Sequence, residues 1–461
     1  MIQRCAICLV LLTACSVGET PHTTGDAGPG GRLDGDLGPG FDGGGGPRID
    51  YASIGGTVWA PGNAPGMVAA GHEIPIFGAL VRVTPTRQRP IPDMVYCEPC
   101  VAVEGPHVRT GHDGRFRLDN IVPGDYWLTV EKGQFRIERQ ISLGEGETLS
   151  LDATYTTLPN RHDAARGMTI PSIAIAAGSY DSLEDVFGKM GMGTVDGSGN
   201  FGVGPGSERI HFYQNGGTRY SGEMGTLGDL VRDLSRMLRY HVIFIPCSGS
   251  SNASALREQQ VLRNLRDYVA AGGKLYVTDW SGEWMDNVFP AFVTLEGSGT
   301  DTPASAYDPA ANTWNTSQFG DADGASYDSD NAEAVHPDLR AWLHGQVGPT
   351  PRSGVQTFDA GRFDVVDNWN TITALTRVPV GVDHEGLPVT NEPIGWVIGS
   401  RDASTPRRPL TVTFQPAGCG RVLYSTYHTT HTPHAGLVPQ ERILLYLIME
   451  IGVCVEDPIL I

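Results

Sequence analysis

Charge of either sign is scarce in this chain of 461 residues: Asp, Glu, Lys and Arg together make 18 %. Cations are the scarcer, 33 Lys and Arg against 52 Asp and Glu, leaving a formal charge of −19. That deficit excludes a nucleic-acid partner and a basic patch for anionic lipid, and leaves a solvated acidic surface. Beyond the N-terminus no apolar run reaches the ~18 residues that a membrane-spanning helix needs. Cysteine is sparse, and Cys97-x-x-Cys100 has no second CxxC to complete a zinc site. In contrast, 60 Gly and 32 Pro favour strands, turns and loops over long helical bundles. A chain of this length holds about two or three domains.

One stretch organises the rest, His241 to Trp284. His241–Pro246 is an apolar, β-branched run that reads as a buried strand. Val261, Leu262, Leu265, Tyr268 and Val269 then recur at helical spacing, and Gly272-Gly273 stops the helix. Lys274–Thr278 is a second strand. Strand, helix, strand predicts two parallel neighbours joined by a right-handed crossover. Sites in such sheets form at the carboxyl ends of strands, here Cys247-Ser248-Gly249 and Asp279-Trp280-Ser281-Gly282.

The N-terminus reads as an address. Residues 1–14 carry one Arg and a short apolar core, a secretory signal rather than part of the fold. Leu12-Thr13-Ala14-Cys15 resembles the bacterial lipoprotein signal-peptidase box. That resemblance implies lipidation at Cys15 and a membrane held through acyl chains. Ser16 after the cysteine lacks the inner-membrane retention Asp, so the cell envelope, at the outer membrane, is the expected location. Residues 15–48 form a Gly/Asp-rich tether that cannot bury enough to fold.

Residues 49–159 show short alternating runs with turn signals between them, which predicts an antiparallel β-sandwich of about seven strands. Thr110 to Tyr126, with Asp113-Gly114, Phe116, Leu118, Ile121 and Gly124, resembles the carboxypeptidase regulatory-like domain. In that family the module carries no catalytic residues. Cys97 and Cys100 are expected to pair locally in an inserted loop.

Residues 168–461 alternate strand and helix, ending in Arg421–Tyr427 and the helix Gln440–Ile451. Three pieces resemble the class I glutamine amidotransferase-like fold, which includes trehalose-utilisation-like proteins. They are the strand ending Pro246-Cys247-Ser248-Gly249, the helix and strand Leu265–Val277, and Gly420–His428 with its following helix. The resemblance implies a flavodoxin-like α/β domain with a mostly parallel sheet. It also exposes a departure: aligning Gly282 with the family's elbow Gly puts Trp280 at the nucleophile, with Asp279 and Ser281 on either side. Trp280 has no nucleophilic atom, so the resemblance implies a pseudoenzyme.

The expectation is therefore a non-catalytic envelope lipoprotein that binds a glycan or an envelope protein. The alternative is a hydrolase using Asp279 and His428 as an acid/base pair, with or without a metal. Cys247, Ser248, Trp280, Ser281 and Tyr180 are candidate pocket residues, and Trp284, Tyr213 and Trp369 further aromatics for a groove or for the core. His428, His431 and His434 fall within seven residues and are candidate transition-metal ligands. Asp321 to Asp330 resembles the front of a calcium loop, with Ala332 where the bidentate Glu belongs. No cofactor is expected; calcium and a transition metal are the candidate ions. Cys419 and Cys454 are the second expected disulfide, leaving Cys247 unpaired.

Overall fold

The computed structural model describes residues 50–97, 102–249, 252–296, 307–308, 313–314, 327–344, 346–350, 354–358, 361–383, 385–429 and 434–453. Cys15, the tether, the calcium-like loop at 321–326, Cys100, His431 and Cys454 lie outside the described residues.

Eight short strands build the first layer pair. They are β1 (Ala52–Thr57), β2 (Leu80–Thr84), β3 (His107–Arg109), β4 (Arg115–Ile121), β5 (Gly124–Lys132), β6 (Phe135–Leu143), β7 (Thr148–Ser150) and β8 (Met168–Thr169). One sheet runs β4-β1-β7 and the other β3-β2-β5-β6-β8. Alternation explains their faces: Phe116 and Leu118 of β4 are buried while Arg115 and Arg117 point to solvent. Met168 and Thr169, expected to open the second domain, instead pair with Ile137 and Arg136 of β6 and close the sandwich.

The second sheet has nine strands. They are β9 (Ile173–Gly178), β10 (Ile210–Asn215), β11 (Val242–Ile245), β12 (Lys274–Thr278), β13 (Ser329–Ala334), β14 (Arg362–Val365), β15 (Ile394–Gly399), β16 (Arg408–Phe414) and β17 (Arg421–Ser425). Their order is β10-β9-β11-β12-β17-β16-β15-β13-β14. Pairing is parallel from β10 through β17 and antiparallel from β17 through β14. The sheet is thus mixed, where a mostly parallel one was expected. β16 and β17 form a hairpin, and a hairpin reverses direction by construction.

Helix α1 (Gln259–Ala270) joins β11 to β12 and buries Val261, Leu262, Leu265, Tyr268 and Val269, the face its spacing predicted. The segment Leu227–Leu238 forms two helices, Leu227–Val231 and Leu234–Met237, because the Asp233 side chain accepts from Arg236 N and starts a new turn. Helix α2 (Pro439–Ile451) opens on a proline and is buried along most of its length. Residues Ile49–Ile461 form one compact unit, and its larger core runs from Ile54 and Val81 of the sandwich to Leu444 and Ile448 of α2.

The disulfide joins Cys97 to Cys419. This replaces the expected Cys97–Cys100 and Cys419–Cys454 pairs, and α1 is the reason. Its C-terminal stop, Gly272 at φ +107°, lies so close to the Tyr96 carbonyl that a Cβ would sit 2.3 Å from it. Gly418, at φ +53°, presses equally close on the Ala270 carbonyl. Both cysteine-bearing loops are seated on one helix end, so their sulfurs meet.

Candidate functional site

Strands β11, β12 and β17 are adjacent and parallel, so each delivers a residue to the same end of the sheet about 4.8 Å apart. Those residues are Cys247, Asp279 and His428. One donor atom from each falls within 4.8 Å of the others. The order of β9, β10 and β11 places this end beside the point where the chain reverses its progress across the sheet, the usual place for a site.

Asp279 is the first residue after β12 and has φ +45°. It occupies the sharp strand-to-helix turn, and a short polar side chain tolerates that left-handed backbone. The residue with the left-handed backbone at this turn is Asp279, and Trp280 is the residue after it. Asp279 is fully buried. Its Oδ2 lies 2.9 Å from His428 Nε2 and accepts from Trp369 N at 3.2 Å. Its Oδ1 is buried with no hydrogen-bond partner among the described residues. Tyr424 donates to the Asp279 carbonyl at 3.0 Å and fixes the turn.

His428 follows β17. Its backbone N–H donates to the Asp367 carbonyl at 3.0 Å, and Gln440 of α2 donates to its carbonyl at 2.9 Å. Cys247 is anchored from β12: its N–H donates to Thr278 Oγ1 at 2.7 Å. Thr278 Oγ1 donates in turn to Asp181 Oδ2 at 2.8 Å, and Thr429 donates to Asp181 Oδ1 through both N–H and hydroxyl. Asp181, buried at the end of the β9 turn, so ties the Cys247 strand to the His428 strand. Nothing in the sequence around Asp181 ties it to either strand end.

Burial pushes the Cys247 thiol up to about 11, with the Asp279 charge adding to it, against the opposing pull of His428 and the Trp280 N–H. Burial raises Asp279 to about 6 despite its bond to His428. Burial alone would lower His428, but its bond to Asp279, the Cys247 sulfur and the Asp181 charge outweigh it, to about 11. Burial and the Asp279 charge thus favour the thiol, and the bond between Asp279 and His428 favours the imidazolium beside a carboxylate.

A cavity of about 500 Å³ opens above, lined by Ser179, Tyr180, Cys247, Trp280, Asp367, Trp369 and His428. Tyr180 and Trp369 are exposed at 46 % and 41 %. Trp280 meets both edge-on, with ring centroids 5.7 and 6.2 Å away, and its Nε1 donates to the Trp369 carbonyl at 3.1 Å. The rings form a corner with open faces. Asp367, at φ +54°, was not foreseen, since nothing in the local sequence ties it to His428.

The other candidates separate. Ser281 is buried and donates to the Pro246 carbonyl at 2.8 Å, a structural bond. Ser248 donates to the Asn215 carbonyl and meets Ser179 Oγ at 3.2 Å, so it braces the rim. Tyr213 and Trp284 are core. His434 does not join His428: it meets Glu441 Oε2 at 3.0 Å and Lys189 Nζ at 2.9 Å. Among the described residues a donor cluster is formed by Cys247, Asp279 and His428; the candidate His431 lies outside them.

No protein-family model matches the chain, and no curated protein matches it. Among solved structures, the minor pilin GBS52 of Streptococcus agalactiae is 14 % identical, with 24 % of this chain and 44 % of that chain covered and a TM-score of 0.16. The cytoplasmic protein STM3548 of Salmonella typhimurium is 13 % identical, with 49 % and 79 % covered and a TM-score of 0.25. The chain thus spans less than half of the pilin, and neither superposition is good enough to bear on fold or function.

Proposed function

We propose that this protein is a thiol-dependent hydrolase of acyl compounds, with Cys247 as nucleophile, His428 as acid and base, and Asp279 orienting His428. The observation that carries it is the convergence of these three side chains at three adjacent strand ends, beneath a cavity that two of them line. A nucleophile, a base and a third group that orients the base are what such chemistry requires. The roles are redistributed relative to the amidotransferase-like pattern. The elbow supplies the orienting acid, and the neighbouring strand end supplies the thiol. The active form is thiolate, imidazolium and carboxylate, one proton fewer than at rest. The sulfur adds to the acyl carbon, the leaving alcohol or amine takes the imidazolium proton, and a thioester remains. Water, losing its proton to His428, then cleaves the thioester, releases the carboxylic acid and restores the thiolate–imidazolium pair. The Trp280 N–H toward the sulfur favours the thiolate.

The parallel run β10-β9-β11-β12-β17 supports reading the larger domain as flavodoxin-like and amidotransferase-like, and the sandwich as carboxypeptidase regulatory-like. Among the described residues no helix is long and apolar enough to cross a membrane. The envelope location and lipid anchor rest on the Leu12-Thr13-Ala14-Cys15 box. A second reading, binding of a glycan or an envelope partner, draws on the exposed rings of Tyr180 and Trp369.

The test is hydrolysis of a panel of activated esters, thioesters and glutamine by the purified full chain. Cys247→Ala should abolish turnover and the thioester adduct seen by intact mass. His428→Ala should lower turnover by about 10²–10⁴-fold. No turnover across the panel, or turnover indifferent to Cys247→Ala, overturns the reading and leaves the binding one.

A further inference from the structure

We propose that Cys247, Asp279 and His428 also form a binding site for a zinc-class divalent ion, and that the bound ion silences the thiol. Four observations meet here. The donors are a thiol, an imidazole and a carboxylate, a set that suits zinc or cobalt and does not suit magnesium or calcium. Their donor atoms already lie within 4.8 Å of one another. Tetrahedral zinc, with bonds of about 2.0–2.3 Å, needs donors roughly 3.5 Å apart, so side-chain adjustments without movement of the strands suffice.

The third observation is the Asp279 carboxylate. One oxygen holds His428 and Trp369 N, while Oδ1 is buried without a hydrogen-bond partner among the described residues. A buried carboxylate oxygen left without a partner is costly, and a cation beside it removes the cost. The fourth is access: Cys247 and His428 line the cavity, so a fourth coordination position faces open space. Three protein ligands and one open position are the pattern of a zinc centre that exchanges its fourth ligand.

Coordination makes one S–Zn bond, one N–Zn bond and one O–Zn bond to the Asp279 carboxylate. The thiol proton and the imidazolium proton leave to solvent, and nothing is oxidised. The sulfur lone pair that would attack an acyl carbon is then held by the metal. Silencing rests on the hydrolase reading; binding of the ion does not.

The experiment uses the purified full chain, stripped of metal, with Co²⁺ and Zn²⁺ as probes and no substrate. One equivalent of Co²⁺ should give a near-ultraviolet thiolate-to-cobalt charge-transfer band, bleached by Zn²⁺ and absent in Cys247→Ser. Because that variant could fold poorly, the second readout uses the unaltered chain: alkylation of Cys247 by iodoacetamide, located by peptide mass. Zinc at ten times its Kd leaves about one site in eleven free and should slow alkylation about tenfold, with chelator restoring the rate. No charge-transfer band, a band that persists in a folded Cys247→Ser variant, or alkylation unchanged by zinc overturns the proposal. A chain that binds zinc and hydrolyses nothing keeps this inference and loses the hydrolase; one that hydrolyses and ignores zinc does the reverse.

Discussion

A thiol with a pKa near 11 is a poor nucleophile at pH 7, and three neighbours decide whether Cys247 stays one. Burial and the Asp279 charge hold it protonated, while His428 and the Trp280 N–H favour the thiolate. The thiolate alone reacts, and below its pKa the thiolate fraction grows about tenfold per pH unit. Iodoacetamide labelling of Cys247 should therefore rise about tenfold per unit across the alkaline range, levelling only near pH 11. A plateau near pH 7 would mean that a thiolate–imidazolium pair already exists at rest. Sequence could nominate Cys247, Asp279 and His428 one by one, since each stands at a strand end. It could not assign their roles. The left-handed backbone at the turn belongs to Asp279, and Gly282, two residues after Trp280 and three after Asp279, fits either register.

Elements were legible where a period is strong. The face of α1 and the strands beside it follow from spacing, because each buries a continuous apolar side. Where short polar residues intervene, legibility failed: Asp233 restarts the second helix, and Met168 leaves its own domain for β6. The helix Glu184–Lys189 shows what such a polar exception costs. Glu184 is buried at its start and accepts from the Tyr220 hydroxyl at 2.7 Å. Burial nonetheless raises its carboxyl from 4.5 to about 7. The folded value lies above the unfolded one, so the protonated form favours the fold. Its contribution is fully present below pH 4.5 and is lost as pH rises through 7. The loss is about 3 kcal/mol in all. Glu184→Gln, which stays neutral, should flatten this part of the stability curve. Urea unfolding at pH 5 and pH 8 should show a smaller fall in the variant than in the unaltered chain. Equal falls in both would place the proton elsewhere.

At the scale of the whole molecule, the sandwich and the larger domain share a core, a half-buried ion pair and a covalent bond. Lys132 of β5 meets Glu450 of α2 at 2.7 Å, and Trp342 Nε1 donates to the Pro75 carbonyl at 2.7 Å. The Cys97–Cys419 bond closes a span of 322 residues between the two layers. No spacing rule reads such a pair from sequence, because a local CxxC is the nearer partner on paper and only the shared end of α1 brings the distant sulfurs together. Closing so long a loop removes much of the unfolded chain's freedom, so loss of the bond should cost near the upper part of the ~2–5 kcal/mol range for native disulfides. Cys97→Ser should lower the unfolding free energy by about that amount. Non-reducing digestion should return a Cys97–Cys419 peptide from the unaltered chain. Recovery of Cys97–Cys100 or Cys419–Cys454 instead would leave the two layers without a covalent link. In that case Cys97→Ser would cost far less, because a CxxC loop restrains the unfolded chain little. The peptide map and the unfolding energy must therefore agree, and a large cost beside a local pair would contradict the chain-entropy account itself.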